Sequence, residues 1–161
     1  MGFRDKIVPF SELASWRESQ RRAGLRVVAT NGCFDLLHVG HATYLEAARA
    51  LGDLLLVGVN SDASVRRLKG PTRPINPEAD RAALIAALAS VDAVCLFDET
   101  SAEQFLATAR PDVWAKGADY TLETLNPRER KTVEDAGGTI AFLTLVAGRS
   151  TTTMLQRLAG G

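Results

Sequence analysis

The sequence predicts an α/β chain, a Rossmann-like three-layer fold built on a five-stranded parallel sheet. Short, continuous apolar runs alternate with helix-patterned segments along the whole chain. The runs are apolar at successive positions rather than every second one, as in strands covered on both faces. A β-α-β-α order then calls for right-handed crossovers and parallel strands. At 161 residues the chain suits one domain over 1–161, too short for two with separate cores.

Ser11–Arg22 (SELASWRESQRR) reads as a helix, capped by Ser11, with Leu13, Trp16 and Ala14 as a thin apolar side. It is expected to sit on the domain as an appendage. Gly24 stops it, and Arg26–Asn31 (RVVATN) is the first buried strand. His38–Leu51 carries Tyr44, Leu45, Ala48 and Leu51 at helical spacing, with Gly52 as its stop. Leu54–Asn60 (LLLVGVN) is the second strand, and Ser61 caps a short helix after it. Gly70–Pro77 (GPTRPINP) is a proline-rich loop, and Asn76–Pro77 opens a helix running toward Ala89. Ala93–Phe97 is the third strand, Ser101–Ala109 a helix, and Val113–Lys116 the fourth strand. Asn126–Pro127 starts another helix, which ends at Gly137–Gly138. Thr139–Thr144 is the fifth strand, and Ser150 caps a last helix.

Composition narrows the function classes. Lys plus Arg equals Asp plus Glu at 19 each, so nothing suggests a basic surface for nucleic acid. The two cysteines, Cys33 and Cys95, make neither a disulfide framework nor a zinc pattern, and both read as reduced packing residues. The N-terminal stretch has no apolar run suited to a signal peptide, and no segment approaches a membrane span. The expectation is a cytoplasmic protein without membrane contact.

The chemistry gathers just after strands, where open parallel sheets bind ligands. In Thr30–His41 (TNGCFDLLHVGH) the first strand ends and Gly32 allows a tight turn. His38 and His41 then stand three apart at a helix start, with Gly40 between them. Such a pair shares one helix face, beside backbone N–H groups that favour an anion. Two imidazole donors there suit a phosphate that gains charge in a transition state. On pattern alone the pair could equally be surface residues or half a metal site. Zinc would need further nitrogen or sulfur ligands, and these are the only histidines. Gly148-Arg149-Ser150-Thr151-Thr152 offers a second helix start, read either as a plain cap or as a phosphate site.

The string GCFDLLHVGH resembles the signature of the cytidylyltransferase-like branch of the HIGH-motif nucleotidyltransferases. The resemblance implies that His38 and His41 contact the triphosphate and stabilise a pentavalent α-phosphorus, with Lys69 reaching the phosphates as the third catalytic group. Thr30, Asn31, Gly32, Cys33, Phe34 and Gly40 would line the nucleotide. Lys116, Gly117, Asp119 and Tyr120 would hold base and ribose. Ser150, Thr151 and Thr152 match a G-x-S-(T/S)-(T/S) triphosphate motif, in which Arg149 occupies a variable position. Asp35 would lie on the acceptor side, with Asn60 and Arg73; Arg81, flanking the loop, could touch phosphate. Arg66 and Arg67 read as surface charges.

The set NGCFDLLHVGH, VGVNSDASVRRLKGPTRPI, KGADY and a final GRSTT is similar to the subfamily of D-glycero-β-D-manno-heptose 1-phosphate adenylyltransferases, over about Lys6 to Leu158. Ala118 departs from it, at a position where glycine is more usual. The implied reaction joins ATP to a sugar 1-phosphate, giving an ADP-sugar and pyrophosphate. Mg²⁺ would be held mainly by the ATP phosphates, because no dense carboxylate cluster marks a metal site built by protein side chains. In that subfamily the domain is often fused behind a ribokinase-type kinase; here it is expected to stand alone. Members often dimerise, so a homodimer with Trp16 as a contact is a candidate assembly. Within the family, glycerol- or ethanolamine-phosphate cytidylyltransferases and FAD synthetases share the first motif. Outside enzymes, a nucleotide-binding module without turnover is the alternative.

Overall fold

Each apolar run becomes a strand: β1 (Val27–Gly32), β2 (Leu54–Asn60), β3 (Ala93–Phe97), β4 (Val113–Gly117) and β5 (Thr139–Leu143). The computed structural model describes residues 1–145, 148 and 150–160. A 3₁₀ turn (Phe3–Lys6) and α1 (Phe10–Arg22) precede the first strand. The other helices are α2 (Val39–Arg49), α3 (Asp62–Lys69), α4 (Glu78–Ala86), α5 (Glu103–Ala109), α6 (Pro127–Asp135) and α7 (Thr151–Gly160). The five strands are parallel, in the order β3-β2-β1-β4-β5.

The sheet has an apolar layer on each face. Successive strand residues point to opposite sides, so Val27 and Ala29 join Leu13, Phe105, Leu106 and Val133 beneath α1, α5 and α6. Val28 joins Leu45, Ala82, Ile85 and Ala86 beneath α2 and α4. Full burial of one such aliphatic side chain is worth about 1.5–3 kcal/mol.

α1 is no appendage. Leu13 is fully buried in the first layer, and Phe10 and Trp16 pack against it. Buried Arg17 donates through Nε to Arg110 O at 3.0 Å and through Nη2 to Asp112 at 3.1 Å. Trp16 is half-buried against that layer, and Ala14 is exposed. The helix starts at Phe10 after Pro9, not at a Ser11 cap. The caps expected at Ser61, Asn126 and Ser150 are present, each accepting a backbone N–H of its own helix. The helix expected from Asn76 starts instead at Glu78, with Pro77 as the flanking residue, because Asn76 is engaged elsewhere. No described helix is long and apolar enough to cross a membrane.

The strand order reverses between β1 and β4, and the pairing is narrowest there. β1 and β2 pair from Val27↔Leu54 to Gly32↔Val59, whereas β1 and β4 pair only at Val28↔Val113 and Ala29↔Trp114. Beyond that point side chains bridge the two strands. Thr30 Oγ1 and Tyr44 OH both donate to Ala115 O, at 3.0 and 2.9 Å. Trp114 Nε1 donates to Asn31 Oδ1 at 3.0 Å.

Candidate active site

A cavity of about 410 Å³ opens at the carboxyl ends of β1 and β4. Residues remote in sequence form it: 30–44, Lys69, 116–120, Leu145 and 150–152. Every residue expected on the nucleotide side lines it, as do His38, His41, Lys69 and Asp35. Asn60 and Arg73 do not. Asn60 is buried, donating to Ser64 Oγ at 2.9 Å, because the end of β2 lies under α3. Arg73 pairs with Asp35 at 2.7 Å instead of facing the cavity. Arg149 lies outside the described residues.

The two histidines form one unit. His38 precedes α2, and its main-chain N–H donates to Nδ1 of His41 at 3.3 Å. That bond fixes the His41 tautomer, leaving Nε2 to carry the ring proton. The rings stack at 3.8 Å, and the Phe34 ring stands 5.4 Å from His41. Burial first, then the charges of His38 and Lys69, pull the His41 pKa down from 6.5 to about 4. His41 is thus a neutral N–H donor at pH 7.

The turn before the pair is a tight one. Phe34 has φ 48°, the left-handed region, where a non-glycine residue is strained by about 1–3 kcal/mol. Its ring lies under Gly32, where a Cβ would sit 3.1 Å from Phe34 Cε2. The Cys33 thiol is pushed up by burial, against Lys69, Arg81 and Arg73, so it is no ready thiolate.

Asp35 and Arg81 hold the loops around this turn together. The Asp35 side chain is 1% exposed. Its carboxylate accepts Arg73 Nε at 2.7 Å and the N–H groups of Ile75 and Asn76 at 2.9 Å. Burial works against its ionisation, but the Asn76 and Ile75 N–H groups and Arg73 outweigh it and hold the pKa below the ordinary value. Asp35 therefore fastens residues 73–76 to the histidine loop and has little left for an acceptor. Arg81, expected near phosphate, is fully buried and cannot reach one. Its place beside the loop suggests a phosphate contact, and nothing in the sequence marks it as buried.

The other half of the cavity is less polar. Gly117, Tyr44, Tyr120 and Leu145 line it, and Tyr44 and Leu145 are additions to the residues expected from the sequence. Tyr44 lies one turn after His41, a spacing that could have revealed it. Burial raises its phenol to about 12, so it stays a neutral hydrogen-bonding group. Lys116 Nζ lies 4.2 Å from the Tyr120 ring centroid, and burial pushes its ammonium down against Glu129 and Asp119. Ala118 is exposed and off the cavity. Opposite, the start of α7 brings Ser150, Thr151 and Thr152 to the wall, and Thr151 Oγ1 donates to Leu36 O at 3.3 Å. One half of the cavity thus offers the histidine pair, Lys69, hydroxyls and two helix starts; the other is less polar, with Gly117, Tyr120 and Leu145 beside Lys116 and Asp119.

The profile of the cytidylyltransferase-like family matches residues 29–149, from the histidine loop to the last motif. The chain belongs to this family. It is a nucleotidyltransferase domain, with the bifunctional protein HldE among its relatives. HldE of Syntrophotalea carbinolica is 53% identical over 141 residues, 88% of this chain and 28% of that protein. HldE of Geotalea uraniireducens is 49% identical over 156 residues, 97% of this chain and 31% of that protein. This cytidylyltransferase-like chain thus spans about a third of the length of the curated relatives it matches. The solved lipopolysaccharide core biosynthesis protein of Thermoplasma volcanium GSS1 is 32% identical with TM-score 0.62, covering 76% of this chain and 98% of that one. Pantoate-beta-alanine ligase of Francisella tularensis has TM-score 0.60 at 13% identity, covering 91% and 68%, which shows a shared fold alone.

Proposed function

We propose that this domain transfers the adenylyl group of ATP to D-glycero-β-D-manno-heptose 1-phosphate in the cytoplasm, giving ADP-heptose and pyrophosphate. The observation that carries the reading is the stacked His38–His41 pair, with the His41 tautomer fixed, facing the same cavity as Lys69 and the start of α7. The polar half suits a triphosphate and the apolar half a base.

An oxygen of the sugar phosphate attacks the α-phosphorus in line. A new P–O bond forms as the bond to the bridging oxygen of the β-phosphate breaks, and pyrophosphate leaves. Negative charge builds on the α-phosphoryl oxygens and the leaving group. The His41 Nε2–H and His38 donate to the former; Lys69 and the N–H groups of α7 hold the latter. Loss of one such donor typically costs about 10²–10³ in kcat. No covalent enzyme intermediate is needed, in keeping with the suppressed thiolate of Cys33. Mg²⁺ enters with ATP as part of the substrate.

Adenine and heptose rest on the likeness of the four motifs to the ADP-heptose-forming subfamily, with HldE among the relatives. The core-biosynthesis role of the Thermoplasma relative agrees with a sugar acceptor. The homodimer implied by the resemblance belongs to this proposal, with half-buried Trp16 on α1 as its candidate contact. Pyrophosphate release across a panel of nucleotides and phosphorylated acceptors tests the assignment. ATP with heptose 1-phosphate should turn over fastest. Preference for CTP with glycerol 3-phosphate would overturn it, and ATP binding with no turnover on any pair would leave a nucleotide-binding module.

A further inference from the structure

Arg81 on α4 is 0% exposed, yet only one of its partners is an anion. Nη2 donates to Asp62 Oδ1 at 2.9 Å. The remaining bonds go to carbonyls: Nη1 to Cys33 O at 2.6 Å and Asn60 O at 2.7 Å, and Nε to Asn76 O at 2.9 Å. Burying a cation forfeits much hydration, and a single ion pair seldom compensates for it. Here the planar guanidinium gathers four acceptors from three stretches of chain, Cys33, Asn60–Asp62 and Asn76, which a lysine ammonium on its flexible stem cannot reproduce.

Of these, Cys33 lines the cavity, and the others lead into or hold residues that do. Cys33 precedes the strained Phe34 and the histidine pair. Asn60 ends β2, and Asp62 begins α3, which finishes in Lys69. Asn76 closes the loop whose N–H groups hold Asp35. Asp35 ties the histidine loop to that loop, and Arg81 ties the same two through separate acceptors.

We propose that Arg81 is a positioning residue that makes the histidine loop and the 73–76 loop one rigid body, setting the line of attack without touching substrate. The inference rests on the nucleotidyl-transfer reading of the cavity. It predicts a split in kinetics, because ATP keeps its contacts with α7 and the Lys116–Tyr120 segment while the histidines and the reacting atoms lose alignment. A misplacement of about 1 Å can cost about 100-fold in rate.

In Arg81→Lys, kcat should fall about 100-fold while KM for ATP moves less than about threefold. In Arg81→Gly, guanidinium at millimolar concentration should restore part of kcat, and methylammonium should not. A second readout needs no turnover. Cys33 lines the cavity, whereas Cys95 is fully buried with its thiol pushed up to about 12, so a thiol reagent reports on Cys33. Its labelling should quicken in Arg81→Lys. Wild-type kcat with unchanged labelling would overturn the proposal, as would a loss of activity that only tracks the loss of folded protein. If both Arg81 variants fail to fold, Asp62→Asn carries the test, since Asp62 is partly exposed; it should lower kcat more than it raises KM, and unchanged kcat overturns the proposal. Absence of turnover in the wild type would sink the functional reading alone, leaving Cys33 labelling to decide the role of Arg81.

Discussion

His41 commits one ring nitrogen to the backbone and offers the other to the cavity. This division explains why a depressed pKa suits it. A protonated ring would have no lone pair at Nδ1 for the His38 N–H, and the ring would lose its fixed orientation. Because the folded-state value of about 4 lies below the ordinary 6.5, the unfolded chain takes up the proton first. The neutral ring's contribution to stability is complete above the ordinary value and is lost as pH falls toward the folded one. The His41 Cε1–H resonance should therefore titrate near 4; a midpoint at 6.5 would contradict the burial argument. His41→Asn tests the division itself, since its amide oxygen can replace Nδ1 but nothing replaces Nε2. It should fold like the wild type and lose about 10²–10³ in kcat. A near-normal kcat would show that only the backbone contact matters. The histidine pair was legible in the sequence because its chemistry is local. Arg81 was not, since its four partners come together only in three dimensions.

Among the elements, the strands matched their apolar runs closely, because a run covered on both faces has no amphipathic ambiguity. The helix starts were harder. Asn76 has the composition of a cap, yet its side chain donates to Asp35 O, so a tertiary contact overrode the local preference. α1 looked thinly apolar, but a single fully buried Leu13 and the aliphatic stem of Arg17 suffice to seat it. The β4 turn is a different case, where the absence of a side chain is what counts. A Cβ on Gly117 would stand 2.6 Å from Asp119 Oδ1 and 3.0 Å from Leu145 Cδ2. Both are ends of flexible side chains that can yield, so Gly117→Ala should keep its Tm. The displaced side chains would crowd the apolar half of the cavity, raising KM for the nucleotide about tenfold, roughly 1.4 kcal/mol of binding. Unchanged nucleotide affinity, measured by calorimetry, would remove Gly117 from the binding surface.

For the whole molecule, the parallel order was legible, but the narrow seam between β1 and β4 was not, because strand order and register lie beyond periodicity. The hydroxyl of Tyr44 lies on that seam, holding α2 and its histidines to the strand that carries Lys116. Tyr44→Phe removes that bond, while Thr30 still serves Ala115 O. The expected loss is about 1 kcal/mol, or a Tm lower by about 2–4 °C; an unchanged melting curve would mean that Thr30 alone holds the seam. The far wall raises another matter. Thr151 meets Leu36 across 115 positions of sequence, and α7 has no fully buried residue among its described side chains. A triphosphate lying between the starts of α2 and α7 would join the same two places. It would act as a removable cross-link, doing by mass action what a covalent bridge does permanently. The resistance of the protein to heat would then rise and fall with the nucleotide concentration around it.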